Sequence, residues 1–192
     1  MGSAHSPAER RYRSGMNGLR SDSTIATARL VLCPLRSSDA DEMVEVLADP
    51  ALHEFTGGRP ATLDELRSRY ESWVRGSGLD TELWLNWVVR RCADSVAVGT
   101  VQATIVNPDS QPEAFVAWTI GTAWQRQGYA TEATLALAQW LADNSVELVV
   151  AYIHADHVAS AGVATNVGLR PTPDVVDGEV VWRMQAASGQ SV

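Results

Sequence analysis

The sequence predicts an α/β (α+β) domain in which short strands, several of them in hairpins, alternate with helices. Three observations carry this. Segments with helical periodicity alternate along the chain with short apolar runs. Two pairs of those runs are joined by polar turns of hairpin type. One further run, "ELVVAYIH", is apolar enough for a buried strand and lies between two helical segments.

"ARLVLCPL" alternates and then meets Pro34, which makes it a first strand near an edge. Ser38 followed by Asp41 resembles a capping box and opens a helix through about Leu47. Thr62 with Glu65 does the same for a second helix, to about Trp73. "ELWLNWVVRR" and "SVAVGTVQATIV" flank the polar turn "CADS" and read as a hairpin. A Pro/Asp/Ser-rich loop, "NPDSQPE", leads to the strand "AFVAWTI". In "ATEATLALAQWLADN", Ala130, Ala133, Leu137, Trp140 and Leu141 fall on one helical face. After the buried strand, "SAGVATNVG" is a short helix with Gly168 as its C-terminal cap. An Asp-Gly turn inside "DVVDGEVVWRM" closes a final hairpin. The order is β-α-α-β-β-β-α-β-α-β-β, with no internal repeat.

A chain of 192 residues with 45% hydrophobic residues and seven Trp buries a real core and fits one domain, spanning 24–188. Residues 1–23 read as a flexible basic tail, with Arg10, Arg11, Arg13 and Arg20 against Glu9 and Asp22. The formal net charge of -8 argues against a nucleic-acid partner and mildly favours a cationic substrate. No apolar run reaches the roughly 18–20 residues a bilayer demands, so no membrane association is expected. Two cysteines, Cys33 and Cys92, fit a reducing cytoplasm and argue against a disulfide framework or a multi-cysteine metal site. All fifteen basic residues are Arg, so chemistry that depends on a lysine is excluded: a Walker-type phosphate loop, a pyridoxal Schiff base, a Ser-x-x-Lys hydrolase.

The stretch "WQRQGYATEA" joins the strand "AFVAWTI" to a helix through a glycine-bearing bend. Such a bend presents backbone N–H groups at the positive end of a helix, which makes an anion site. Gly128 lets the backbone come close to a bulky ligand, and Arg126 adds a mobile charge. Gln125-Arg126-Gln127-Gly128-Tyr129-Ala130 resembles the Q/R-x-x-G-x-G/A pyrophosphate loop of the GNAT superfamily of acyl-CoA-dependent N-acetyltransferases. "ARLVLCPLRSSDADEMVEVLADPALHEFTGG" and "HADHVASAGVATNVGLRPT" are similar to the branch that includes ribosomal-protein alanine N-acetyltransferases. The likeness covers about residues 25–185.

That resemblance implies a mixed, mostly antiparallel central sheet with helices on both faces and a splay between the fourth and fifth strands. It implies acetyl-CoA as co-substrate, with its pyrophosphate on the backbone amides of Arg126 through Thr131 and its pantetheine arm pairing with Trp118, Thr119 and Ile120. Gln125, Gln127, Gly128, Tyr129 and Ala130 complete the coenzyme set, and Tyr129 either stacks near the coenzyme or covers the helix start.

The chemistry is then attack of an amine on a thioester, which calls for a base, oxyanion stabilisation and a proton for the leaving thiolate. Ser160 matches the Ser of the family segment and could bond the coenzyme's sulfur or pantetheine, or cap its helix. His157 stands where the branch usually has Asn, and could bond the pantetheine or act as base or acid. His154 reads as structural, and no metal is expected at His154-x-x-His157 with Asp156, which lacks the spacing of a zinc helix motif. Glu113 is the acid nearest the fourth strand. The family's carboxylate position falls on Phe115, so Glu113 could substitute from the same face of the strand or be a solvated loop acid. Glu54 and Asp64 flank the loop that covers the acceptor in this family. Trp84, Trp87 and Trp118 either wall that cleft or belong to the core.

The expected function is transfer of an acetyl group to a primary amine by direct attack. The acceptor would be a small cationic amine, an amino acid, an antibiotic or a protein N-terminus, and a homodimer is left open. The alternative is a coenzyme-A-binding sensor or interaction module without transferase activity. A hydrolytic Ser160–His157 pair ranks last, since no acid is placed to orient the imidazole.

Overall fold

The structure is a computed structural model and describes residues 22–79, 81–106 and 112–185. The basic tail, apart from Asp22 and Ser23, and most of the "NPDSQPE" loop lie outside the described residues. The strands are β1 (Ile25–Ala26), β2 (Leu30–Pro34), β3 (Glu82–Arg91), β4 (Ala97–Val106), β5 (Glu113–Ile120), β6 (Leu148–His154), β7 (Arg170–Val176) and β8 (Glu179–Gln185). The helices are α1 (Ala40–Val46), α2 (Leu63–Arg75), α3 (Tyr129–Asp143) and α4 (Val158–Val167). All eight strands form one sheet in the order β1-β2-β3-β4-β5-β6-β8-β7. Every neighbouring pair is antiparallel except β5–β6. The two-residue β1 extends the expected set by one, so the fourth and fifth predicted strands are β5 and β6.

Strand alternation sorts side chains onto two layers. Leu85, Trp87 and Val89 of β3, with Val101, Ala103 and Ile105 of β4, join Leu137 and Leu141 of α3 and Ala164 of α4 in the larger core. Val88, on the other face, joins Ala40 and Met43 of α1 and Leu66 and Tyr70 of α2. Helices therefore cover both faces, as expected.

Local signals explain most boundaries. Thr62 Oγ1 accepts from the Glu65 N–H at 3.4 Å, and Glu65 Oε2 accepts from the Thr62 N–H at 2.8 Å, closing the predicted capping box of α2. The first helix departs from expectation. Its cap is Arg36 with Asp39, whose Oδ2 accepts from the Arg36 N–H at 2.7 Å, and a 3-10 turn over Ser37–Asp39 precedes α1. Asp39 also takes Arg90 at 3.0 Å from across the sheet, and that tertiary partner selects this register over Ser38–Asp41. The Asp177–Gly178 turn, with φ of 50° and 88°, joins β7 to β8 as predicted.

The feature that matters most for function is the β5–β6 pair. These strands are in register only at Glu113–Leu148, Ala114–Val149 and Phe115–Val150. Beyond Phe115 they part, while β5 stays paired with β4 as far as Ile120 and β6 with β8 as far as His154. One backbone edge of Val116–Ile120 thus faces an opening in the sheet.

Candidate functional site

β5 ends in a 3-10 turn, Thr122–Trp124, and the chain then bends into α3. Gly121 allows this bend to touch α1: a Cβ there would lie 2.6 Å from the Val46 carbonyl oxygen. Arg126 adopts φ 62°, and Gly128, the residue before α3, adopts φ 81° and ψ 4°. Successive residues in such conformations turn their N–H groups to a common side. None of the six backbone N–H groups from Arg126 to Thr131 has an acceptor among the described residues, and α3 has no side-chain cap. The first N–H groups of a helix have no partner within it, and Arg126, Gln127 and Gly128 are exposed, so these donors are open to a ligand. Their convergence on the positive end of a 15-residue helix suits a diphosphate.

The bend is braced from a distance that the sequence reading missed. Glu132, in the first turn of α3, accepts from Thr27 Oγ1 at 2.6 Å, from the Arg29 backbone N–H at 2.9 Å and from Arg29 Nε at 2.7 Å. Partial burial pushes the Glu132 carboxyl up, but the Thr27 and Arg29 hydrogen bonds outweigh it and leave the group below its ordinary value. Arg29 Nη1 also donates to the Gln127 carbonyl at 3.0 Å, and its guanidinium sits 4.9 Å from the centre of the Tyr129 ring. Tyr129 therefore packs against Arg29 at the start of α3. Gln125, expected among the coenzyme contacts, turns its side-chain amide inward and donates to the Ile120 carbonyl at 2.9 Å. A single acidic residue in a first helical turn is too common a pattern to reveal this tie.

The opening between β5 and β6 lies just before the bend. Trp118, Thr119 and Ile120 line its β5 edge, as expected for a strand-like ligand. On the β6 side the chain passes His154 into His157 and α4. His157 precedes the helix without a side-chain cap bond, and Ser160 is the third residue of α4. Ser160 is therefore not the helix cap; its hydroxyl has no partner among the described residues. The loop after α1 reaches this place: Phe55 stacks on His157 at 4.4 Å and packs against His154 at 5.5 Å. Burial pushes the His157 imidazole below its ordinary value, with the charge of Glu54 opposing and His154 adding to the fall. This fall favours the neutral imidazole, the form that can accept a proton. His154 Nδ1 accepts from the Asp156 N–H at 3.2 Å and lies 3.9 Å from the Asp156 carboxylate. Among the described residues no group of three or more His, Cys, Asp or Glu is arranged to hold a metal ion.

Two expected groupings do not form. Glu113 lies in the paired end of β5, opposite Leu148 and Val106, five residues before Trp118 and on the far side of the point where the strands part. At about 3.3 Å per residue it is roughly 16 Å along the strand from Trp118. It does share a strand face with Phe115, which stacks on Tyr152 at 5.6 Å. The three tryptophans do not wall one cleft. Trp84 lies opposite Thr104, and Thr104 opposite Phe115, on the face covered by α1 and α2. Trp118 packs on the other face against the α3 core. Trp87 is wholly buried there, donates Nε1–H to the Ser23 carbonyl at 2.7 Å and meets Trp140 edge-on. Asp64 sits in the first turn of α2 with Arg67 3.9 Å away.

Comparison with known proteins agrees with this geometry. The sequence matches the acetyltransferase (GNAT) domain over residues 29–170. No curated protein sequence matches. Among solved structures, RimL, a ribosomal L7/L12 alpha-N-protein acetyltransferase in complex with coenzyme A, is 14% identical with TM-score 0.72, covering 86% of this chain and 99% of that one. The ribosomal-protein-S5-alanine acetyltransferase of Vibrio fischeri is 14% identical with TM-score 0.69, covering 88% and 100%. The microcin C7 self-immunity acetyltransferase MccE, in complex with acetyl-CoA and AMP, is 13% identical with TM-score 0.68, covering 83% and 93%. At these identities the likeness establishes the fold. With the domain match spanning most of the chain, the parted strands and the unpartnered bend, the protein belongs to the GNAT family of acetyl-CoA-dependent N-acetyltransferases.

Proposed function

We propose that the protein moves an acetyl group from acetyl-CoA to a primary amine by direct attack. The observation that carries this is the run of six unpartnered N–H groups, Arg126 to Thr131, opening onto the free edge of β5. Those donors and the α3 dipole hold the diphosphate through charge-assisted hydrogen bonds. The β5 edge at Trp118 and Thr119 aligns the pantetheine, while the Ile120 carbonyl is already taken by Gln125. The coenzyme supplies an activated acetyl thioester. Neutral His157, held by Phe55, removes a proton from the incoming ammonium, and the freed nitrogen attacks the acetyl carbon. Ser160 donates a hydrogen bond to the sulfur as the carbon–sulfur bond breaks, and the surplus proton on the attacking nitrogen passes to the leaving thiolate, giving amide and free thiol. No covalent enzyme intermediate is needed, because the bound amine is held beside the thioester.

The acceptor is a small cationic amine or a protein N-terminus. The acidic chain, with formal net charge -8, supports the first. The activities named for RimL and the Vibrio fischeri protein support the second. Release of free thiol from acetyl-CoA across a panel of amines and N-terminal peptides tests the reaction, and a thermal shift with coenzyme A tests binding alone. Stabilisation without thiol release from any amine refutes the transferase and leaves a coenzyme-binding module. Thiol release without any amine favours hydrolysis instead.

A further inference from the structure

On the sheet face covered by α1 and α2, a cavity of about 250 Å³ opens beside the sheet. Trp73, Glu82, Trp84, Asn86, Gln102 and Thr104 line it. Register explains why they meet. Trp84 lies opposite Thr104 and Asn86 opposite Gln102, so four side chains from β3 and β4 share one patch, and Glu82 is two residues before Trp84. Trp73 comes from the last turn of α2 and stacks on Tyr70 at 5.6 Å. The Glu82 carboxylate, the Asn86 and Gln102 amides and the Thr104 hydroxyl have no hydrogen-bond or ion-pair partner among the described residues. By contrast Asp39, Asp41, Glu42, Glu65, Asp94 and Glu132 each pair with an arginine.

A carboxylate and three polar groups, walled by two indoles and lined by no arginine, select a cation. The carboxylate supplies charge, the amide oxygens accept from N–H donors, and the tryptophan faces attract a positive centre. The cavity holds one alkylammonium or guanidinium group, not a drug-sized molecule. Its distance from the reaction follows from the sheet. Gln102 is opposite Ala117, which borders the opening between β5 and β6. With strands about 4.8 Å apart, the β3 row lies roughly 10 Å from β5.

We propose that this cavity binds a second, cationic nitrogen of the acceptor, on the order of 10–15 Å from the amine that is acetylated, since Trp84 and Glu82 lie in the rows of Phe115 and Glu113, further along β5 than Ala117. This deepens the acetyl-transfer reading and rests on it. The same chemistry can come from a free diamine or from a peptide whose N-terminus is followed by a basic side chain. Glu82 and Trp84 are the groups that set the preference.

The test compares thiol release for diaminobutane, diaminoheptane and diaminooctane with the monoamines of equal length, and with tripeptides carrying Arg or a neutral residue at the second or third position. The longer diamines, or the Arg tripeptides, exceed their uncharged counterparts in kcat/KM by tenfold or more, mostly through KM. Whichever set is preferred identifies the source. E82Q and W84L each shrink that ratio at least fivefold, while coenzyme-induced stabilisation persists. Equal kcat/KM for charged and uncharged acceptors overturns the proposal, as does a preference that survives both variants. Titration with diaminooctane, read by tryptophan fluorescence, separates the two levels of inference. A signal in the unsubstituted protein that is lost in W84L supports the cation site even if no amine releases thiol, in which case acetyl transfer alone fails. Absence of the signal together with absence of preference overturns the site while leaving transfer standing.

Discussion

Gly128 offers the sharpest test of the coenzyme bend. Its φ of 81° and ψ of 4° lie in the left-handed region. A side chain there costs an L-residue about 1–2 kcal/mol from backbone sterics alone. Contact adds little: the new Cβ would sit 3.4 Å from Arg29 Nη2, the far end of a flexible side chain. The strain can be met in two ways. If the bend keeps its shape, the protein loses that 1–2 kcal/mol of stability, a fall in Tm of about 2–8 °C at this length. If the bend relaxes, the N–H groups of Arg126 to Thr131 cease to converge. Losing one charge-assisted hydrogen bond then weakens coenzyme binding by about 1.5–3 kcal/mol, or about 10- to 150-fold. Asn visits the left-handed region readily, Ala less so, and β-branched Val least. Calorimetric titration with coenzyme A should therefore rank affinity Gly, Asn, Ala, Val, with Gly128→Val near or beyond the lower limit of detection. Folding is checked in parallel by near-ultraviolet circular dichroism. A folded Gly128→Val protein that binds coenzyme A as tightly as the parent refutes the reasoning.

Three further outcomes are expected. Ser160→Ala lowers kcat by about 10²-fold or more while leaving the coenzyme dissociation constant near its original value; if neither moves, the hydroxyl has no part in the reaction. Because burial lowers the His157 pKa, kcat/KM should climb through a pKa below the ordinary 6.5 and level off by neutrality, and His157→Gln should lack that limb. The same shift has a sign for folding: the folded state holds fewer protons than the unfolded one, so His157 contributes stability that is full above pH 6.5 and is lost as pH falls through the folded value. A pH profile without an inflection below neutrality removes His157 as the base. Trp87→Ala should cost about 3–5 kcal/mol in urea denaturation, whereas W84L should cost far less; similar losses would contradict the assignment of the two indoles to opposite faces.

The features legible in the sequence were those written within a few neighbouring residues. The Thr62–Glu65 box, the Asp177–Gly178 turn and the glycine bend after "AFVAWTI" each need only local spacing, and each forms. Where a distant partner competes, local spacing misleads. Arg90 draws Asp39 into the cap of the first helix, and Ser38 loses that role. The Arg29–Glu132 brace joins residues 103 apart, and no periodicity marks it. The face of a tryptophan depends on the register of each strand with its neighbour: parity within β3 separates Trp84 from Trp87, but only pairing through β4 sets Trp84 against Trp118. Phe55 on His157 is likewise a contact between a loop and a helix start that only the folded chain brings together.

The three-pair seam between β5 and β6 divides the sheet into a five-strand half and a three-strand half. On the proposed binding mode, a ligand laid along it would act as a rivet between the two halves. Hydrogen exchange at Val116–Ile120 should slow markedly when coenzyme A is added, and the two halves should then melt as a more tightly joined body. The proposed path of the acetyl donor is thus also the seam at which only three residue pairs tie the two halves of the sheet together.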